Sequence, residues 1–218
     1  MSDTEYKIHM TMWAALKSPL IMGTDIRSLN AQAYTIYMNP AILAISQDPL
    51  GQTVNRRWRY FVGPEGPYGQ GEIQMWSGQL SQGDWIVILL NAANQAMQLN
   101  ATLSDVFADQ GFNLAPQVKQ DWDVYDLWAN RMPNMTANQI LSSNSTMGAM
   151  NVTSYLYNAT AQSYADGIMK NDTLLMGQKV GMWNAGAKSV WSTMVGQHDV
   201  AAYRLRPRMN GMNKRDEL

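Results

Sequence analysis

The chain contains no cysteine and only two histidines in its 218 residues. The lack of cysteine excludes disulfide bridges, thiolate catalysis and cysteine-based zinc sites, although it leaves the redox compartment open. His9 and His198 are far apart along the chain, and neither belongs to a recognisable metal-binding motif. We therefore expect no metal site and no cofactor.

Long apolar runs and an excess of one charge are also missing. The longest purely apolar run, residues 85–90, is far shorter than the roughly 20 residues that cross a bilayer, so we expect no transmembrane helix. Charged residues make up 15% of the chain and the net charge is −1, which gives no reason to expect nucleic acid or an anionic membrane as a partner. The one basic cluster, residues 56–59, is interpreted as a strand with outward arginines rather than a phosphate-binding patch.

N-x-Ser/Thr triplets, in contrast, are abundant, although residues 1–9 are polar and predict no signal peptide. Roughly two such triplets would be expected by chance at this composition. The triplets begin at Asn100, Asn134, Asn144, Asn151, Asn158 and Asn171. They favour N-glycosylation in the secretory pathway, with an Asn-, Ser- and Thr-rich composition as the alternative.

Residues 1–52 begin with a predicted helix. Ser2 and Glu5 have the spacing of a capping box, which places the start of the helix at the first residues. Apolar residues then recur at helical spacing on one face, at Tyr6, Met10, Trp13 and Leu16. Pro19 ends the helix.

A four-residue run at 20–23 follows and is apolar on both faces, which is typical of a parallel strand buried under helices. A second helix is predicted over residues 30–38, and a third begins at Pro40 with Asn39 as its N-cap. One parallel strand cannot form a core alone. We therefore interpret residues 1–52 as the end of a (β/α)8 barrel, with apolar faces left uncovered and able to self-associate.

Residues 53–207 change to a period of two, which predicts an all-β antiparallel sandwich. The predicted strands are Arg57–Val62, Glu72–Leu80, Asp84–Asn91, Ala96–Leu103, Gln120–Trp128, Met150–Asn158, Leu174–Gly177, Ser189–Val195 and His198–Leu205. The whole chain is thus predicted to be an α+β fragment, a barrel end followed by a sandwich. Residues 208–218 form a predicted flexible tail, whose last four letters, RDEL, resemble an ER-retrieval signal.

Several segments resemble one enzyme family in the same order along the chain. HMTMWAALKSPLIMGTDIRSL and NPAILAISQDPLG are similar to the last helix–strand–helix of the barrel of α-galactosidases of glycoside hydrolase family 27. EIQMWSGQLSQGDWIVILLNAANQ, DVYDLWANR and GQHDVAAYRLRP resemble the C-terminal sandwich of the fungal members. The resemblance covers about residues 1–207.

This resemblance implies a secreted, retaining hydrolase that removes terminal α-linked galactose from oligosaccharides or galactomannans. Two aspartates carry out that chemistry about 5 Å apart. In the family both lie upstream of the segments matched here, and the Y-x-K-x-D-N stretch around the nucleophile is absent from this sequence. We therefore predict no catalytic residue in this chain, no identifiable substrate-binding residue, and no activity of the chain alone.

Other carboxylates are interpreted as structural. Asp25 follows the predicted short strand, where a barrel places functional groups, but a turn or cap residue is the preferred interpretation. Asp121 and Asp123 face one side of a predicted strand and Asp126 the other, together with Trp122, Val124 and Trp128. Glu5 and His9 are interpreted as a surface pair one helical turn apart.

The eight tryptophans leave a second hypothesis open, a non-catalytic carbohydrate-binding or structural β-sandwich module. Aromatic faces can stack on sugars. Seven of the tryptophans, however, lie in or beside predicted strands, where core packing is the more common role.

Overall fold

The computed structural model describes residues 1–63, 71–142 and 154–208. The helices are α1 (Asp3–Ala15), α2 (Ala31–Tyr37), α3 (Pro40–Ser46), α4 (Leu103–Val106), α5 (Asn134–Ser142), α6 (Tyr164–Met169) and α7 (Thr173–Met176). The strands are β1 (Asn55–Phe61), β2 (Glu72–Gln79), β3 (Trp85–Asn91), β4 (Met97–Thr102), β5 (Trp122–Asp126), β6 (Gln178–Trp183), β7 (Val190–Val195) and β8 (Asp199–Pro207).

Two antiparallel sheets form the sandwich. Six strands pair in the order β1-β2-β3-β8-β5-β6, and β4 pairs with β7 in a second, two-stranded sheet. The core between the sheets includes Leu99 and Val195 from the small sheet and Val87, Leu89 and Leu205 from the large one. Every residue of β3 is buried because this strand is central in the large sheet and covered on both faces.

A helical layer covers the other face of the six-stranded sheet. Ala14 of α1 and Ile42 of α3 share one buried cluster with Ile86, Ile88 and Ala202 of the central strands. The predicted α+β class, a helical part followed by an antiparallel sandwich, is confirmed. The helical part is nevertheless not a separate body, because its core residues are the same ones that cover the sheet.

The predicted helix starts are confirmed. The backbone N–H of Glu5 donates to Ser2 Oγ at 3.3 Å and the backbone N–H of Ser2 donates to Glu5 Oε2 at 2.6 Å, which completes the capping box of α1. Asn39 caps α3 by accepting from the backbone N–H groups of Ala41 and Ile42, with Pro40 at the first helical position.

The fully buried residues of α1 are not those of the apolar face identified in the sequence, a face that was expected to stay uncovered in this chain. Thr11, Ala14 and Ala15 are the buried residues of this helix, whereas Trp13 and the C-cap Leu16 are exposed. Small residues let the helix lie close to the sheet, and Ile8, Met10 and Met12 pack partly buried against the same cluster.

Two predicted strands are also wrong. Residues 20–23 form no strand, because a strand needs a hydrogen-bonding neighbour and the described residues provide none here. Residues 173–176 form α7, which begins where Asp172 Oδ1 accepts from the Leu174 N–H at 2.9 Å. The true strand, β6, begins only after Gly177. Of the prediction over 150–158, residues 150–153 lie outside the described residues and 154–158 form no strand.

No helix among the described residues has the length and apolar character needed to cross a membrane.

Candidate functional site

A shallow crevice lies between the end of α3 and the start of α6. Its empty space of about 150 Å³ includes open solvent, so it encloses no cavity of the size of a typical ligand pocket. The one carboxylate in its lining is already occupied, because Asp48 accepts from the Ser81 hydroxyl at 2.7 Å and from the Leu50 N–H at 3.1 Å. The crevice therefore offers no reacting group to a substrate.

Asp25 is a cap residue, as preferred from the sequence. Its carboxylate accepts from the backbone N–H of Arg27 at 3.0 Å and pairs with the same residue's guanidinium at 2.9 Å. These hydrogen bonds lower the pKa of Asp25 below its usual 3.8. A carboxylate held ionised in this way at the surface cannot act as a general acid near neutral pH.

The three aspartates around β5 have separate structural partners. Asp121 Oδ1 accepts from the Ala185 N–H at 2.8 Å, Asp123 pairs with Lys179 at 2.9 Å, and Asp126 accepts from the Trp128 N–H at 2.8 Å. Burial raises the pKa of Asp126. These contacts explain the three positions without catalysis.

The sequence predicted that Trp128 lies on the same side of the strand as Trp122 and Val124, and this prediction is wrong. It packs in the cluster under the helical layer, whereas Trp122 and Val124 pack between the sheets. The regular alternation of β5 stops at Asp126, so the period of two no longer applies at position 128.

The two histidines lie on different elements and form no metal site. The sequence predicted that Glu5 pairs with His9, but it does not. Glu5 Oε1 instead lies 3.6 Å from Nδ1 of His198. His9 packs edge-on against Trp13 with 5.3 Å between the ring centroids. Among residues 1–63, 71–142 and 154–208, no three His, Asp or Glu side chains are grouped to hold a metal ion.

A buried ionic cluster was not predicted from the sequence. Asp84, directly before β3, accepts from Arg204 Nη1 at 2.8 Å and from Arg206 Nη2 at 2.7 Å. Asp84 and Arg204 have no exposed side-chain surface. The spacing of two arginines at i and i+2 in a strand was the available signal, since it places both on one face. The cluster joins the start of β3 to the end of the neighbouring strand β8.

Four of the eight tryptophans, Trp85, Trp122, Trp128 and Trp183, are buried and unavailable for stacking on a sugar. Trp85 and Trp122 contact Phe107 with centroid separations of 4.9 and 5.2 Å, and Trp183 lies 6.1 Å from Trp191. Trp85, Trp122 and Trp183 are all buried. These rings form the aromatic part of the sandwich core, so they give no support to a carbohydrate-binding module.

The most unusual surface is apolar and lies at residues 13–26, called here the open segment. Ile21 is 85% exposed, and Trp13, Leu16, Met22 and Ile26 also have exposed side chains. Soluble proteins rarely leave so many large apolar side chains uncovered within a short stretch. The open segment therefore has the character of an interface whose other side is not provided by the described residues.

Four of the six predicted glycosylation asparagines lie within the described residues, and all four are exposed: Asn100, Asn134, Asn158 and Asn171. Asn158 and Asn171 accept hydrogen bonds through Oδ1, from the Thr160 N–H at 3.1 Å and from Arg206 respectively. Acceptance through oxygen leaves the amide nitrogen available for a sugar. Asn144 and Asn151 lie outside the described residues.

Two family models match the chain in sequence order. The model for alpha galactosidase A matches residues 1–48, and the model for the alpha galactosidase C-terminal beta sandwich domain matches residues 70–153. Alpha-galactosidase 5 of Saccharomyces cerevisiae is 48% identical over 207 residues, which are 95% of this chain and 42% of that protein. A solved α-galactosidase of S. cerevisiae with raffinose has a TM-score of 0.86 and 46% identity, covering 95% of this chain and 44% of the other.

This chain is a relative of the family 27 α-galactosidases and matches their C-terminal part. It spans about 42% of the length of the curated α-galactosidases that it matches. Alpha-galactosidase I of Mortierella vinacea, at 24% identity and a TM-score of 0.61 over 94% of this chain and 36% of that enzyme, shares the fold alone. The open segment falls within the match to the alpha galactosidase A model rather than to the sandwich model.

Proposed function

We propose that this chain serves as the C-terminal portion of an α-galactosidase, where it completes and supports a catalytic barrel, and that it does not hydrolyse α-galactosides alone. One observation carries the proposal. The helical layer and the sandwich superpose together on the S. cerevisiae α-galactosidase structure over 95% of this chain. The reaction would be retaining release of terminal α-galactose.

The carboxylates of the described residues support the second half of the proposal, that the chain does not hydrolyse α-galactosides alone. A retaining glycosidase needs two carboxyl groups about 5–5.5 Å apart on either side of the sugar, one as nucleophile and one as acid and base. Here Asp25 is held by Arg27, Asp84 by two arginines and Asp123 by Lys179. Each of these carboxylates is already paired with a basic side chain.

The open segment supports the first half of the proposal, that this chain completes a catalytic barrel. In a (β/α)8 barrel the final helix and strand pack against neighbours on both sides. Covering a side chain such as Ile21 is worth about 1.5–3 kcal/mol, so an adjoining barrel would bind strongly to this surface.

The test joins residues 1–207 of this chain to the N-terminal part of the S. cerevisiae α-galactosidase, in place of the matching part of that enzyme. We expect the chimera to hydrolyse p-nitrophenyl α-galactoside and the isolated chain to show no turnover. Ile21→Asp in the chimera should reduce activity strongly because it places a charge in the barrel. Leu114→Asp, at an equally exposed apolar position outside the open segment, should not.

The proposal is wrong if the isolated chain hydrolyses the substrate and a galactose-like inhibitor stops it. It is also wrong if the chimera folds, as judged by circular dichroism and cooperative unfolding, but has no activity.

We also propose that the chain passes through the secretory pathway and carries N-linked glycans at the six asparagines named above. The exposure of Asn100, Asn134, Asn158 and Asn171 supports this proposal. The RDEL sequence lies among residues 209–218, outside the described residues. Peptide mass spectrometry of the chain made in a yeast host tests each asparagine, and unmodified peptides at all six would refute it.

A further inference from the structure

The outer face of the two-stranded sheet has a glycosylation signal at its centre. Asn100 lies in the middle of β4 and is directly opposite Ser192 of β7. Leu99 and Ala101 are buried in the core between the sheets, so strand alternation turns Asn100 to the outside. The Asn100 side chain is exposed.

Two apolar side chains share this outer face. Met194 is 66% exposed and Val190 is 53% exposed, and they lie two residues on either side of Ser192. Each is therefore a diagonal cross-strand neighbour of Asn100, about 7–8 Å away along the face.

The small sheet also has two open edges. In the part of the chain that the structure describes, β4 pairs only with β7, and no third strand joins either side. An exposed edge beside apolar side chains is a site where another chain can add a strand. A soluble protein therefore needs some form of protection on this face.

We propose that an N-linked glycan on Asn100 lies over the outer face of β4 and β7, covers Met194 and Val190, and hinders strand addition at the edges. The inference rests on the proposed glycosylation of Asn100 and assigns a specific role to that sugar. The apolar faces of the first sugar rings would contact the two side chains. Their hydroxyl groups would remain in water or reach Ser192 and Gln98, which share the same face.

Asn134 provides a contrast within the same chain. It is the first residue of α5, and Met135, which follows it, is 73% exposed. Consecutive helical residues point in different directions, so a glycan on Asn134 is not directed over Met135. The pair Asn134 and Met135 is thus a matched control for Asn100 and Met194.

The experiment measures methionine oxidation by dilute hydrogen peroxide in the chain secreted from a yeast host. Oxidation rates are read by peptide mass spectrometry, with Met182 as the internal reference. We expect Asn100→Gln to accelerate oxidation of Met194 by about threefold or more, since sulfoxide formation follows exposure. Asn134→Gln should leave the rate of Met135 within the error of the wild type.

Removing the whole glycans from the folded wild-type chain with a peptide-N-glycosidase, which leaves aspartate at each site, gives a second measurement on a chain that folded with its glycans. It should also accelerate Met194 oxidation. Unchanged Met194 oxidation in both experiments, with Asn100 glycosylated in the wild type, overturns the inference but not the proposed modification. An unmodified Asn100 peptide in the wild type refutes both the inference and the proposed glycosylation of Asn100. Glycans at the other asparagines then still report on the secretory-pathway proposal.

Discussion

Arg204 Nη1 donates to Asp84 Oδ2 at 2.8 Å, and neither side chain has any surface exposed to solvent. Arg206 donates to both oxygens of the same carboxylate, at 2.8 Å to Oδ1 and 2.7 Å to Oδ2. Arg206 also reaches the backbone carbonyl of Ile168 in α6 at 3.2 Å. One carboxylate therefore links β3, β8 and the segment that contains α6.

Asp84→Asn should destabilise the fold by about 3–5 kcal/mol, because removing one member of a buried ion pair leaves the other charge without compensation. The NH2 group of the introduced asparagine would also face two guanidinium groups, which are themselves only hydrogen-bond donors. Urea unfolding followed by tryptophan fluorescence gives the free energy of unfolding. Asp25→Asn is the control, since that carboxylate pairs with an arginine at the surface. We expect the control to change stability far less, because exposed ion pairs contribute little. Equal effects of the two substitutions would contradict the prediction.

Gly177→Ala should be among the most damaging single changes in the chain. Gly177 has φ 84° and ψ −174°, a conformation essentially restricted to glycine. An added Cβ would lie 2.5 Å from the carbonyl oxygen of Asp126, so strain and a backbone clash act together. We expect a loss of about 3 kcal/mol or more. Gly23→Ala is the matched control because no atom lies within 4 Å of its Cβ position, and it should be nearly neutral in thermal unfolding.

Part of the acid sensitivity should come from Asp3. Hydrogen bonds from Arg131 lower the pKa of Asp3 below its usual 3.8, against the opposing effect of partial burial. The native state therefore binds fewer protons than the unfolded chain between the two pKa values. The stabilisation is complete above about pH 5 and is lost as the pH falls below 3.8 through the lowered pKa.

Asp3→Asn removes this contribution. The free energy of unfolding should differ from the wild type by about 0.5 kcal/mol at neutral pH, a small value because the pair is partly solvated. The difference should shrink below pH 3.8, the ordinary pKa of the group. Effects of other titrating groups cancel in the comparison. A difference that stays constant from about pH 6 to about pH 2.5 would show that Asp3 does not titrate as described.

Local sequence signals predicted the first three helices, α1 to α3, and most strands correctly because the causes are local. The capping box at Ser2 and Glu5, and Asn39 before Pro40, satisfy backbone groups within one turn and need no tertiary information. The continuous apolar run in β3 required burial on both faces, and the sandwich with its helical layer provides it. The family resemblance added the order of the parts.

The errors arise where distant residues decide the outcome. A four-residue apolar run such as 174–177 is compatible with strand or helix, and the Asp172 cap decides for α7. Residues 20–23 have strand character but no pairing partner in the described residues. The burial of Arg204 depends on Asp84, which is 120 residues away in sequence. A single sequence contains no direct signal for such a pairing.

The open segment should make the isolated chain self-associate. Ile21 is 85% exposed and lies beside other uncovered apolar side chains, so contact between two copies would remove this surface from water. We expect sedimentation velocity to show a concentration-dependent increase in the weight-average sedimentation coefficient.

Ile21→Asp should shift the chain toward monomer, since a charge in an apolar contact is costly to desolvate. Leu114→Asp places the same charge at an apolar side chain that is 86% exposed and outside the open segment, and it should leave association unchanged. If both substitutions abolish association, general surface charge is responsible; if neither does, the contact lies elsewhere, and either result contradicts the prediction.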